Sequence, residues 1–152
     1  MTNRSGVLVP RAGLATILAA LLAACGVTGA VVGPQSWTVG ATDDTGNSIS
    51  VDVSDRSGVV RDIALDPPDT EAVLGVSAVP GSLDTIDVSW AGNGCDQHAT
   101  LDIAAAGGGI GITVRVDPSR VPCDNGVVRT MRLMLRKAIP PAMVVFRRDA
   151  GA

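Results

Sequence analysis

The chain has 152 residues, 46% hydrophobic and 18% charged, with 18 glycines, two tryptophans, one phenylalanine and no tyrosine. That length fits one domain with a sizeable core, and the apolar content excludes a disordered chain. A formal net charge of −3 and the shortage of stacking aromatics argue against nucleic-acid binding.

Arg4 and Arg11 make the first residues positive, and Ala12–Ala24 follows as an uncharged apolar run. An apolar stretch of about 10–14 residues is short for a membrane span and fits the core of a signal peptide. The run ends in Leu22-Ala23-Ala24-Cys25. These four residues resemble, position by position, the lipobox of bacterial lipoprotein signal peptides. The resemblance implies that Cys25 receives a diacylglycerol on its sulfur and that residues 1–24 are removed. It also implies that the new amino group can be acylated. One acyl chain holds a protein to a bilayer marginally, whereas two or more hold it stably. The expected partner is therefore the lipid bilayer, through acylated Cys25. The expected location is the cell membrane or outer envelope, facing the periplasm or the exterior. Removing Arg4 and Arg11 leaves 10 basic against 15 acidic residues, so the mature chain carries −5.

Residues 25–36 read as a tether, with Gly26, Gly29, Gly33 and Pro34 and no charge. Residues 37–149 read as the folded domain. Trp37–Ala41 is the first strand-like run, and Asp43-Asp44-Thr45-Gly46-Asn47 is a turn cluster. Ile49, Val51 and Val53 alternate with Ser50, Asp52 and Ser54, the period of a strand with one buried face. Asp55-Arg56-Ser57-Gly58 makes a turn before Val59–Leu65. Pro67-Pro68 cannot donate backbone hydrogen bonds and marks a loop or a sheet edge. Ala72–Val79 is a weaker strand.

Thr85–Trp90 buries Ile86, Val88 and Trp90 and turns Asp87 and Ser89 outward. Ala99–Ala105 reads as its returning strand. Gly107-Gly108-Gly109 turns the chain into Ile110–Val116, with Ile112 and Val114 inward. Met131–Leu135 comes next, and Met143–Arg147 follows the Pro140-Pro141 break. About nine short strands at roughly ten-residue spacing, with no long helix, suggest a sandwich or barrel. The expected fold is a mainly β, two-sheet antiparallel sandwich, loosely immunoglobulin-like, with meander connections.

With Cys25 lipidated, Cys95 and Cys123 have one possible intramolecular pairing, and the compartment beyond the membrane allows it to persist. A disulfide between them is expected. The alternative is a metal-handling or redox site using Cys95, His98 and Cys123. Cys95-Asp96-Gln97-His98 has a Cys-x-x-His spacing, and zinc or copper accepts thiolate and imidazole. It lacks a second His and a complete ligand set, and no metal or other cofactor is expected.

His98 has no Gly-x-Ser-x-Gly elbow or evident nucleophile to serve, so no catalytic residue is assigned and the chain is not expected to be an enzyme. The Asp43–Ser48 cluster has oxygen ligands but not the spacing of a calcium-binding EF-hand loop. Charge is uneven: residues 25–94 hold ten acids and two bases, and residues 95–152 hold five acids and eight bases. The basic C-terminal part could meet an anionic surface or an unknown envelope protein. The reading preferred is that its outward arginines pair with acids on neighbouring strands.

Overall fold

A computed structural model of the chain describes residues 33–42, 48–65, 73–117, 119–120, 123 and 125–149. The Leu22–Cys25 motif, the tether up to Val32, the Asp43–Asn47 cluster and the Pro67-Pro68 loop lie outside the described residues. Nine strands follow in order: β1 Gln35–Thr42, β2 Ser48–Asp55, β3 Val60–Leu65, β4 Gly75–Ala78, β5 Thr85–Asn93, β6 His98–Ala106, β7 Gly109–Asp117, β8 Gly126–Leu135 and β9 Val144–Asp149. One short 3-10 turn, Pro141–Met143, precedes β9. They form a five-stranded sheet in the order β1-β2-β6-β7-β9 and a four-stranded sheet in the order β3-β8-β5-β4.

This is the expected two-sheet sandwich, and its sheets are rich in antiparallel pairs. The five-stranded sheet also contains two parallel joins, β2 with β6 and β7 with β9. The inward residues of both sheets build the core: Ile49, Val51 and Val53 from β2, Leu101 and Ile103 from β6, and Ile112 and Val114 from β7, against Ile86, Val88 and Trp90 from β5 and Met131, Leu133 and Leu135 from β8. Burying a side chain of this kind stabilises by about 1.5–3 kcal/mol relative to leaving it exposed.

The connections are not those of a meander. Ala99–Ala105 does not return beside Thr85–Trp90: β5 pairs with β8 and β4, while β6 pairs with β2 and β7. Both runs alternate with the same period, and alternation specifies which face is buried, not which strand lies alongside. Here the two apolar faces meet across the sandwich. The chain therefore changes sheets between β5 and β6, and again between β7 and β8.

Local chemistry fixes the other corners. Asp55 ends β2 fully buried, and its carboxylate accepts from Ser57 N at 2.8 Å, Gly58 N at 3.1 Å and Val60 N at 2.9 Å, and from Ser57 Oγ at 2.5 Å. A side chain that satisfies several backbone donors in this way holds the chain as it passes from β2 into β3. The β6–β7 hairpin turns on Gly107 and Gly108, with φ of 52° and 87°. Positive φ at both central residues is the signature of the tight hairpin turn whose twist matches the strands, and glycine adopts it without strain.

The outer face of β5 and β8 carries its polar residues covered rather than solvated. Asp87 and Ser89 point away from the core yet are buried. Arg132, directly across from Asp87, donates to it through Nε at 2.7 Å and Nη2 at 2.9 Å. Ser89 and Thr130 share a hydroxyl hydrogen bond of 2.8 Å. Outward polar residues on a central strand are covered here by their own cross-strand partners. Arg129, part of the basic C-terminal stretch, is also buried, in register with Trp90.

Candidate functional site

His98 opens β6 on the outer face of the five-stranded sheet. The sheet register puts it beside Ser50 on the β2 side and opposite Asp117 on β7, while Asp52, one outward position farther along β2, faces Thr38 on β1. The outcome is a polar row across four strands. His98 Nε2 lies 3.0 Å from Asp52 Oδ2, and Nδ1 lies 2.8 Å from Asp117 Oδ2. Thr38 Oγ1 donates to Asp52 Oδ1 at 2.6 Å.

A neutral imidazole has one N–H and can donate to one carboxylate, whereas the imidazolium donates to both. The hydrogen bond to Asp52 and then the one to Asp117 hold the His98 pKa above the usual histidine range, against a smaller opposing effect of burial. Asp52 is held below the usual carboxylate range, first by the Thr38 hydroxyl and then by His98. With both ring nitrogens engaged, His98 has no free nitrogen with which to take a proton from a substrate.

Cys95 and Cys123 are joined by a disulfide, with Cα atoms 5.9 Å apart. Cys95 lies in the passage from β5 to β6 and Cys123 in the passage from β7 to β8, so the bond ties together two connections between the sheets. Hydrogen bonds flank it. Asn93 Oδ1 accepts from Cys95 N at 3.0 Å, Asn93 Nδ2 donates to Cys123 O at 2.5 Å, and the buried Asp96 carboxylate accepts from Asn93 N at 2.6 Å. The metal set of Cys95, His98 and Cys123 is therefore not assembled. The sulfurs are bonded to each other, and the imidazole faces two carboxylates. Among the described residues no group of three or more His, Cys, Asp or Glu side chains is arranged to hold a metal ion.

A groove of about 210 Å³ lies on the same outer face, at the opposite end of β6 from His98, lined by Arg56, Asp102, Ala104, Gly111, Thr113 and Arg147. Its small floor residues leave the sheet open to approach. Its rim mixes two cations with one carboxylate, so it is not a cradle for a single sign of charge. Three other bases have acidic partners: Arg132 with Asp87, Arg115 with Asp149 at 3.6 Å and Arg61 with Asp84 at 3.8 Å. Arg132 with Asp87 and Arg115 with Asp149 are cross-strand pairs of the kind expected from the sequence.

Asp52 and Asp117 are the functional-site residues that sequence reasoning missed. Asp52 reads as one more outward residue of an alternating strand, and Asp117 as the start of the Asp117-Pro118-Ser119 turn. Asp117 reaches His98 through the β6–β7 hairpin, and Asp52 through the parallel join of β2 to β6. Comparison with protein-family profiles, with characterised proteins and with solved structures finds no match for the chain.

Proposed function

We propose that the chain is a lipoprotein of the cell envelope, held in a membrane by acylated Cys25 and acting as a binding or structural module rather than an enzyme. The observation that carries this reading is the order of the leader: a basic start, an apolar run and Leu22-Ala23-Ala24-Cys25. It is supported by the Cys95–Cys123 disulfide, since such bonds persist in oxidising compartments beyond the cytoplasmic membrane. The non-enzymatic part is supported by His98, whose two ring nitrogens are both engaged by carboxylates. The stable β-sandwich then serves as the presented body and its outer surfaces as the place of contact.

The test is metabolic labelling with a fatty acid that carries a reactive handle. The full chain should take the label, and a Cys25→Ala variant should not. A variant that labels as strongly as the parent would sink the reading.

A further inference from the structure

A sheet edge carries unpaired backbone N–H and C=O groups, and folded proteins ordinarily blunt such edges with charge, proline, bulges or brevity. Three of the four edges of this sandwich are blunted. β3 carries Arg61 and Asp62 at a shift of register between Val60 and Asp62. β4 is four residues long. β9 carries Arg147, Arg148 and Asp149. β1 differs from all of them: its eight residues, Gln-Ser-Trp-Thr-Val-Gly-Ala-Thr, contain no charge and no proline, and they pair with β2 in unbroken register.

The ladder also tells which groups lie open. On the far side of β2, Ser50 N donates to Gln97 O and Arg56 N to Ile103 O, each at 2.8 Å. The backbone groups of Ser50, Asp52 and Ser54 thus point toward β6, and those of Val51 and Val53 point toward Val39 and Trp37 of β1. Because direction alternates along a strand, the N–H and C=O groups of Ser36, Thr38 and Gly40 face away from β2, into the open edge.

We propose that this edge pairs with the same edge of a second copy of the chain, antiparallel about a two-fold axis through Thr38, so that two five-stranded sheets become one. In that register Ser36 faces Gly40 of the second copy and Thr38 faces its own equivalent, each facing pair exchanging backbone hydrogen bonds. On the core side, half-buried Trp37 comes opposite Val39 of the second copy, an aromatic and β-branched pair of the kind that stabilises neighbouring strands.

A two-fold contact must be complementary to itself. A neutral strand meets that condition, whereas β9, with Arg147 beside Arg148, would set like charges against each other. Among the described residues, the charges level with the two-fold are the two copies of Asp52, each one strand in. They stand three strand spacings apart, about 14 Å, which exceeds the screening length of about 8 Å at physiological salt. The proposal does not depend on lipidation of Cys25.

The experiment is sedimentation of the full chain in a density-matched mild detergent over a range of concentrations, beside Thr38→Pro and Ser36→Lys. Proline at 38 removes an N–H that faces the open edge and leaves the ladder to β2 whole, and lysine at 36 leaves the backbone untouched. Trp37 emission gives a second readout, because Trp90 is buried in the core. The parent chain is expected to hold two copies per particle, with Trp37 emission moving to longer wavelength on dilution. Both variants should keep the circular dichroism unchanged. Thr38→Pro, which loses backbone hydrogen bonds worth about 1 kcal/mol each on both sides of the two-fold, should dissociate at least about tenfold more readily. Ser36→Lys should also dissociate more readily, because an edge lysine opposes strand addition. One copy per particle at every concentration, dimers unaffected by both substitutions, or one copy with a different polypeptide on the edge would each overturn the proposal.

Discussion

His98 shows how a surface residue acquires a state of its own from where the sheet places it. Its pKa is raised from 6.5, so its contribution to stability is complete below 6.5 and is lost as pH rises through the raised folded value. Asp52 is lowered from 3.8, so its contribution is complete above 3.8 and is lost as pH falls through the lowered folded value. The pair is one interaction seen from both ends, and it is strongest between those limits. The difference in melting temperature between the parent chain and His98→Gln should therefore be widest between pH 3.8 and 6.5 and should shrink as pH rises through the raised folded value. It should also shrink with added salt, since the groups are partly exposed. Circular-dichroism melts across that range measure it, and a difference independent of pH would show that the imidazolium is not its source.

Among elements, the parallel join of β7 to β9 depends on one missing side chain. A Cβ on Gly109 would overlap the Met143 carbonyl group at the start of β9. Gly109→Ala should push β9 and its leading 3-10 turn off the sheet edge and cost about 1–3 kcal/mol. Urea unfolding measures the cost, and an unshifted midpoint would show that β9 accommodates the methyl group freely.

The other parallel join, β2 to β6, marks the limit of what the chain reveals as text. Ile49-Val51-Val53, Leu101-Ile103 and Ile112-Val114 announce their strands and their buried faces, because each face must leave water in a period of two. Nothing in those residues says that β2 lies parallel to β6, since parallel partners meet through hydrogen bonds that every sequence carries. His98 was therefore legible as a residue worth watching; Asp117 follows from the Gly107-Gly108 hairpin turn, whereas Asp52 was not legible as its neighbour. Nothing in the run of C-terminal bases marks Arg129 as the buried one, in register with Trp90.

In the molecule as a whole, the disulfide is the one covalent link between distant parts of the described fold. Its residues are 28 apart in sequence, and closing a loop of that length constrains the unfolded chain by about 3–4 kcal/mol in the chain-entropy model. Reduction should lower the urea midpoint accordingly while leaving the circular-dichroism spectrum of the folded state mainly β. Equal midpoints before and after reduction, with free thiols verified by titration, would show that the bond constrains nothing. The pairing was legible once Cys25 is read as part of the leader, which leaves Cys95 and Cys123 to each other. What the bond connects was not, because that required knowing that the chain changes sheets both between β5 and β6 and between β7 and β8.

The position of that bond also bears on how fast the fold can assemble. β5 and β8 pair along their full length, beginning at Asn93 and Gly126 beside the disulfide, yet the whole β6–β7 hairpin lies between them in sequence. In a reduced chain their first contact must close that long loop, a cost incurred before any ladder bond forms. In an oxidised chain the two cysteines already hold the strand ends together, and a non-local pairing becomes a short-range one. The central ladder of the four-stranded sheet then zips from the bond outward like a hairpin, and oxidised chains should refold faster than reduced ones.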